Sequence, residues 1–280
     1  MSHRGQALRR KPELPLPAAE AKSSPLSSPL VLVGIAIVLA MAVAAFALIG
    51  GQQPKVAATP SADAGIVAAM VVALPQTELD AIGTGGVGNG LTAINGTPAS
   101  GRPLVLYTSA EYCPFCAAER WSLVQALGRF GTLTHLSLTT SSSSDQYPDT
   151  ATFSFRGAGY ASPWIDASLI ETADREHRPL AAIPSVIGPT IARFDPTQAV
   201  PFLYVDGRYS ALGANYSPDL LHGLSWTVVA QRLQDPNSPL TRAIVGNANQ
   251  LAAAICQSTG GQPASVCSTA AVRQVHLPPR

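Results

Sequence analysis

Two cysteines three positions apart are the residues of this chain best suited to chemistry. Cys113-Pro-Phe-Cys116 follows an apolar run that begins at Leu104 and precedes a helical pattern that reaches about Phe130. A cysteine at the start of a helix is favoured as a thiolate, because the helix dipole and unpaired backbone N–H groups stabilise negative charge there. Pro114 suits the first helical position, where its missing N–H costs nothing. The pattern predicts a strand, a dithiol and a helix in direct succession.

Three interpretations of this dithiol compete. A zinc half-site needs two further ligands at short spacing, but the histidines form no paired motif and Cys256 and Cys267 are too far apart in sequence. A purely structural disulfide across so short a loop stabilises little through loop entropy. A redox dithiol fits the frame of strand and helix, and we favour it. Copper binding is weakened because Met70 is the only methionine beyond the N-terminal apolar run. We expect neither a metal nor an organic cofactor.

Charged residues surround the dithiol in sequence. Glu111 and Glu119 flank it, and Arg120 follows Cys116 by one helical turn. The carboxylates are candidate proton acceptors, and the arginine is a candidate stabiliser of a thiolate. Solvated side chains near the start of a helix fit the same pattern equally well.

The N-terminal part of the chain predicts a membrane anchor. Leu30 to Gly50 is apolar and uncharged, which is long enough to cross the ~30 Å hydrocarbon layer as a helix. The run exceeds the ~7–15 residues of a signal-peptide core, so we expect it to stay uncleaved, although Ala45-Phe-Ala47 resembles a cleavage site. Basic residues before the run and only Lys55 soon after it predict a cytoplasmic N-terminus and an extracytoplasmic main domain at the cell membrane. The net charge of +1 argues against nucleic-acid binding.

All four cysteines would then lie outside the cytoplasm, where disulfides persist. Three pairings are open in principle, and proximity in sequence favours Cys113–Cys116 and Cys256–Cys267. The second pair closes a polar loop, and we expect it to be a structural disulfide. An electron relay to the first pair is the alternative.

The remaining elements are predicted from local patterns. Thr77-Glu-Leu-Asp80 resembles a capping box that opens a short helix. Leu133 to Leu138 alternates as a strand does, and is expected to run parallel to the strand before the dithiol. Phe202 to Val205 is a further strand, and Asp206-Gly207 predicts a tight hairpin turn after it. A long helix is expected to follow Ser238-Pro239.

A strand, a C-x-x-C motif at a helix start, a second strand, Val-Pro before an antiparallel hairpin and a final helix together resemble the thioredoxin-like fold. In that family a cis proline lies against the dithiol, and Pro201 after Val200 occupies the matching position. The resemblance implies that Cys113 is the nucleophile, Cys116 the resolving cysteine and Pro201 the substrate-docking residue. It extends to extracytoplasmic thiol-disulfide oxidoreductases, which also combine an anchor with an inserted segment.

A closer resemblance rests on longer motifs. The stretch YTSAEYCPFCAAERWSLVQALGRFG, the Ser/Thr tract and the ending GLSW…C…GG…C are similar to a family of membrane-anchored, thioredoxin-like bacterial and archaeal proteins of unknown function. The chain also departs from thioredoxins. They carry a buried acid in the strand before the motif and a nearby lysine, whereas this strand reads Leu-Val-Leu-Tyr and no lysine follows Lys55.

These observations predict an α/β protein with a thioredoxin-like fold, a central mixed sheet flanked by helices. We expect a cytoplasmic tail (1–29), a transmembrane helix (30–50), a linker and lead-in (51–84), a domain (85–256) with an insertion at about 140–197, and a C-terminal disulfide loop and tail (257–280). The predicted function is thiol-disulfide exchange with protein dithiols and disulfides, with a membrane redox partner that recycles the dithiol. The alternative is a redox-inert thioredoxin-like binding module with two structural disulfides.

Overall fold

A computed structural model of the protein describes residues 61–279. The predicted tail (1–29) and transmembrane helix (30–50) lie outside these residues. Within the described range, no single helix is both long and apolar enough to cross a membrane. A strongly bent pair, Ala64–Val72 with Gln76–Ile82, meets the length and composition criteria only when its two helices are taken together.

The described chain alternates helices and strands. In chain order the elements are α1 (Ser61–Val72), α2 (Gln76–Ile82), β1 (Thr92–Ala93), β2 (Leu104–Ser109), α3 (Pro114–Leu127), β3 (Thr132–Thr134), β4 (Ser137–Thr140), β5 (Ala151–Ser154), β6 (Gly159–Ala161), β7 (Asp166–Glu171), α4 (Gly188–Phe194), β8 (Phe202–Val205), β9 (Tyr209–Leu212), a 3-10 turn (Pro218–Leu221), α5 (Trp226–Arg232), α6 (Pro239–Ser258), α7 (Ala264–Cys267) and α8 (Ala270–Arg273).

The centre of the molecule is a mixed five-stranded sheet in the order β1-β9-β8-β2-β7. β2 pairs in parallel with β7, so that Leu106 lies opposite Ser168, and it pairs antiparallel with β8, where Leu106 lies opposite Tyr204. β8 and β9 form an antiparallel hairpin, and β1 extends it. The protein is therefore an α/β protein with a mixed central sheet, as expected.

Each face of the sheet is covered by helices. Alternate residues of a strand point to opposite faces, so β2 contributes Val105 and Tyr107 to the large core and Leu106 to the smaller one. On the larger side α3 packs against α6, where the Ser122 hydroxyl donates to the Ile244 carbonyl at 3.0 Å. Every residue of α3 except Phe115 is buried, because α6, α1, β5 and the 3-10 turn pack around the helix. Its polar residues, Glu119, Arg120, Ser122 and Gln125, are buried together with the apolar ones, so the helix shows no single apolar stripe.

The parallel partner of β2 is not the strand expected at Leu133–Leu138, and that prediction is wrong. His135 adopts a left-handed backbone with a φ of 55°, which breaks the run into β3 and β4. These two short strands pair with β6 and β5 in separate two-stranded sheets. β7 takes the parallel place instead, so the region 140–197 contributes an edge strand to the central sheet besides its irregular loops.

Several local predictions are confirmed, and one is wrong. The Val200–Pro201 peptide is cis, and Asp206 and Gly207 turn the hairpin with φ angles of 46° and 69°. The long helix α6 begins directly after Ser238. The capping box at Thr77 does not form, because α2 begins one residue earlier, at Gln76, with Pro75 at the N-cap position and no side-chain cap.

The two ends of the described chain pack onto this body. Helix α1 lies against α3 and α5, and α2 contacts α6 and α8. Cys256, near the end of α6, forms the expected disulfide with Cys267 at the end of α7. The compact body therefore starts at α1 and includes the short helices after the disulfide.

Candidate active site

The dithiol lies where the central strand β2 gives way to α3. Cys113 is the N-cap residue of α3, and its sulfur accepts a hydrogen bond from the Cys116 N–H at 3.2 Å. Its own N–H donates to the Ala110 carbonyl at 3.2 Å, which closes the turn between strand and helix. The sequence folds this way because Pro114 fits the first helical position and Cys113 supplies the acceptor that the first turn of the helix requires.

The segment before β8 faces the dithiol. The Cys113 thiol donates to the Val200 carbonyl at 3.7 Å, across a separation of 87 residues in sequence. The structure therefore brings the predicted residues Cys113, Cys116 and Pro201 together at one end of β2 and β8. Cys113 is 6% exposed and Cys116 is fully buried, so Cys113 presents the accessible sulfur.

The two thiols have opposite pKa shifts. The pKa of Cys113 is lowered, first by the hydrogen bond with the Cys116 thiol and then by backbone N–H groups of the first turn and the charge of Arg120, although burial opposes the shift. Burial raises the pKa of Cys116 well above its usual range, and the neighbouring Cys113 adds to this effect. The accessible sulfur is thus the better thiolate, as a nucleophile requires.

A buried ion pair lies beside the dithiol. Arg120, which is fully buried, donates from Nε and Nη2 to the two carboxylate oxygens of Glu171 at 2.9 and 2.7 Å. Glu171 ends β7 and also accepts from the Ser109 hydroxyl and the Phe155 N–H. Burial disfavours the charge on Arg120, but the Glu171 carboxylate, together with Tyr107 and Cys116, raises the pKa of Arg120 above its usual value. The sequence pattern could not assign a partner to Arg120, because Glu171 is distant in sequence.

A second buried carboxylate lies on the other side of the same helix. Both oxygens of Glu119 accept from the Asn247 amide on α6, at 3.0 and 2.9 Å. Burial raises the pKa of Glu119 to about 7, although the Asn247 amide and the Asn215 backbone oppose that shift. The alternative expectation that Glu119 and Arg120 are solvated is therefore wrong, because α6 and β7 cover the faces of α3 that carry them.

Glu111 is also buried, at 8% exposure. Its carboxylate accepts from the Ser154 hydroxyl on β5, and its N–H donates to the Ala173 carbonyl. Glu111 lies two residues before Cys113, but its hydrogen bonds go to β5 and to the segment that follows β7. Like Glu119 and Arg120, it is buried and makes its hydrogen bonds within the protein.

Two aromatic pairs involve the residues on either side of the Cys113-Pro114 dipeptide, Tyr112 and Phe115. The Tyr112 ring stacks on His177 with ring centres 3.9 Å apart, and Phe115 meets Tyr147 edge-on at 5.9 Å. His177 has a left-handed backbone, with a φ of 63°, in a turn held by the Asp174 carboxylate. The sequence pattern did not identify these pairs, since Tyr147 and His177 lie in loops distant in sequence from the dithiol.

The second cysteine pair lies toward the opposite end of the central sheet. Gln257, next to Cys256, accepts from the Tyr209 hydroxyl, and Tyr209 begins β9 opposite the end of β8. That end of β8 pairs with Val105 at the start of β2, whereas Cys113 follows the far end of β2. The start and the far end of β2 are about 13 Å apart, at ~3.3 Å per residue. This separation disfavours direct exchange between the two pairs.

One comparison with known proteins gives a match. The model of a family described as a domain of unknown function (DUF929) matches residues 93–193 and 192–257, which together make more than half of the chain. The matched range runs from β1 to the end of α6 and contains the dithiol, Pro201 and both buried carboxylates of α3 and β7. No curated protein matches the chain. No solved structure matches it either.

Proposed function

The chain belongs to the family described as a domain of unknown function (DUF929), and we propose that it is a membrane-anchored thiol-disulfide oxidoreductase that acts outside the cytoplasm. One observation carries the proposal. The Cys113 sulfur caps α3, accepts the Cys116 N–H and faces the cis Val200–Pro201 peptide. A low-pKa sulfur beside a second thiol within disulfide reach is the arrangement that dithiol exchange requires.

The topology supports a thioredoxin-like fold. β2 runs parallel to β7 and antiparallel to β8, and β9 completes the hairpin. The dithiol follows β2, the cis proline precedes β8, and the long helix α6 comes after the hairpin. This is the order of elements that the sequence motifs predicted for that fold, with β7 in the place of the strand expected at 133–138.

The proposed reaction is a two-step exchange. The Cys113 thiolate attacks a disulfide of a protein substrate, which forms a mixed disulfide and releases one substrate thiolate. Cys116 then loses its proton and attacks the Cys113 sulfur. The Cys113–Cys116 bond forms, the bond from Cys113 to the substrate breaks, and the leaving thiolate takes up a proton. Two electrons pass from the dithiol to the substrate, and the reverse sequence oxidises a substrate dithiol.

The site favours the oxidising direction. Hydrogen bonds that lower the pKa of Cys113 stabilise the reduced thiolate form, and a dithiol whose reduced form is stabilised is a stronger oxidant. A protein that oxidises substrates outside the cytoplasm must be reoxidised after each turnover. We propose a membrane-bound redox partner for this step, since the apolar run at 30–50 would hold the dithiol close to the membrane surface.

Trapping of the mixed disulfide tests the function. In Cys116→Ser the second step is blocked, so we expect Cys113 to accumulate in disulfides with substrate proteins, which a reductant releases. Cys113→Ser should trap none, because the remaining thiol is buried. The variant with both Cys256 and Cys267 replaced by Ser should keep turnover and lose thermal stability.

The redox-inert binding module is the competing outcome. It predicts no trapped species with Cys116→Ser and a Cys113–Cys116 bridge that a mild reductant does not open. Alkylation of Cys113 after mild reduction, followed by mass measurement, distinguishes the two. A protein whose Cys113 stays unalkylated under these conditions would contradict the proposed function.

A further inference from the structure

The buried ion pair between Arg120 and Glu171 is connected to the dithiol through one backbone group. The Ala110 carbonyl accepts both the Cys113 N–H, at 3.2 Å, and Arg120 Nη2, at 2.9 Å. The backbone of Ala110 also opposes the rise in the pKa of the Cys116 thiol. The Ala110 carbonyl therefore links the fully buried Arg120 guanidinium to the backbone of Cys113.

Arg120 is also the cation that lies beside Cys116. The two residues are one turn apart on α3, and neighbours at this spacing lie on the same face of a helix. The other titratable groups that act on Cys116 and Arg120 are Cys113 on the same helix, Tyr107 on β2 and Glu171 on β7. Tyr107 donates to the Cys116 carbonyl, so it remains neutral and occupied.

One part of the guanidinium has no hydrogen-bond partner. Within residues 61–279, Nε and Nη2 of Arg120 are bonded, whereas Nη1 is buried and makes no hydrogen bond. A buried N–H group without an acceptor is costly, and new negative charge nearby reduces that cost. A thiolate that forms on Cys116 would be such a charge.

We propose that Arg120 sets the ionisation of the buried resolving thiol, and that Glu171 limits this effect by neutralising part of the guanidinium charge. This inference rests on the proposed function and names the residues that regulate its second step. Arg120 is a positioning residue, because it acts through Cys116 and does not touch the substrate. When Cys116 attacks the mixed disulfide, its proton ends on the leaving substrate thiolate, and Arg120 stabilises the intermediate anion.

Substitutions of Arg120 and of Glu171 should shift the redox equilibrium of the dithiol in opposite directions. Glu171→Gln leaves the arginine charge uncompensated, so the thiolate form gains stability and the protein becomes more oxidising. We expect its equilibrium constant with glutathione to change by about tenfold, which corresponds to about 30 mV for two electrons. Arg120→Met removes the cation and should shift the constant by a similar factor in the opposite direction. The double variant Arg120→Met with Glu171→Gln should lie between the two.

The measurement is the glutathione equilibrium of the full chain, together with the ultraviolet absorbance of the thiolates as a function of pH. Arg120→Lys is the matched control, because it retains the charge and should restore most of the wild-type constant. Where Arg120→Met does not fold, Glu171→Gln still decides the matter, because it should shift the constant by about tenfold while Arg120→Lys stays close to the wild type. Constants that stay within twofold of the wild type, or that move in the same direction for both single variants, would overturn the inference.

These outcomes are separable from those of the proposed function. Equilibrium with glutathione needs only the dithiol, so Arg120 and Glu171 can govern it even where Cys116→Ser traps no protein substrate. Conversely, Cys116→Ser can trap substrates while neither Arg120→Met nor Glu171→Gln changes the glutathione equilibrium constant. That result would support the proposed function and contradict the role of Arg120.

Discussion

Glu119 and Arg120 are adjacent on α3 and both are buried, yet their surroundings differ in kind. Arg120 meets an opposite charge, Glu171, through two hydrogen bonds. Glu119 instead accepts hydrogen bonds from a neutral amide, that of Asn247. The charge of Arg120 is consequently permanent, whereas the charge of Glu119 depends on pH because burial brings its pKa to about 7. Burial alone therefore does not determine whether a side chain is charged, since the charge also depends on the group that it contacts.

Removal of one member of the ion pair should have the largest effect on stability. Arg120→Met leaves the Glu171 carboxylate buried without its cation, and breaking such a pair costs about 3–5 kcal/mol. Urea unfolding at neutral pH would measure the loss. The double variant with Glu171→Gln is the control and should recover most of it, because no charge is left uncompensated. Equal losses in the single and double variants would mean that packing, not charge, is responsible.

The pH dependence of Glu119 should be the next largest effect. Its pKa is about 7 in the folded protein against 4.5 ordinarily, so protonation favours the folded state. This contribution is complete below about pH 4.5 and is lost as the pH rises to about 7, which amounts to about 3 kcal/mol of unfolding free energy. Glu119→Gln should remove this slope, and the difference between the two proteins across this pH range isolates it. If the unfolding free energies of the wild type and of Glu119→Gln changed equally with pH, the raised pKa of Glu119 would be contradicted.

Removal of the Asn247 amide sharpens the same contrast with a smaller change. Asn247→Ala deprives the Glu119 carboxylate of its side-chain donor, and an unsatisfied buried acceptor costs about 1–3 kcal/mol. The loss should be greatest above pH 7, where Glu119 is ionised, and smaller at pH 5. Thermal unfolding at the two pH values measures this. A loss that is independent of pH would indicate only a packing defect.

The smallest effect is expected for an ion pair in water. Arg102 and Asp166 contact each other at 2.6 Å, but their side chains are 52% and 51% exposed. Exposed pairs of this kind contribute about 0–1 kcal/mol. Arg102→Ala should therefore lower the unfolding free energy by less than about 1 kcal/mol, and added salt should reduce the difference further. A loss as large as that of Arg120→Met would remove the distinction between buried and exposed pairs on which the comparison depends.

Local chemistry made part of the site predictable. Three features of the site depend on backbone constraints at one or two residues. They are the proline after Cys113, the Asp206-Gly207 turn and the Val200–Pro201 dipeptide. Such constraints can be recognised from a short stretch of sequence. The structure confirms the turn and the cis peptide, and it brings the dithiol and Pro201 together.

Long-range pairing was not predictable in the same way. The left-handed backbone of His135 ends an alternating pattern that otherwise reads as one strand, so β7 and with it Glu171 were not recognised as neighbours of the dithiol. Asn247 interrupts the apolar face of α6, and only the packing of α6 on α3 reveals that it serves Glu119. A charged residue that is buried looks the same in the sequence as one that is solvated, because the difference comes from elements distant in the chain.

The position of α1 has a mechanical consequence. Its last turn meets the end of α3 so closely that a Cβ atom at Gly128 would lie 2.5 Å from a methyl group of Val72. A displacement of α1 would therefore act directly on the helix that carries the dithiol. A fragment that begins at residue 85 would lack α1 and expose the surface of α3 that α1 covers. A fragment that begins at residue 61 would retain this contact.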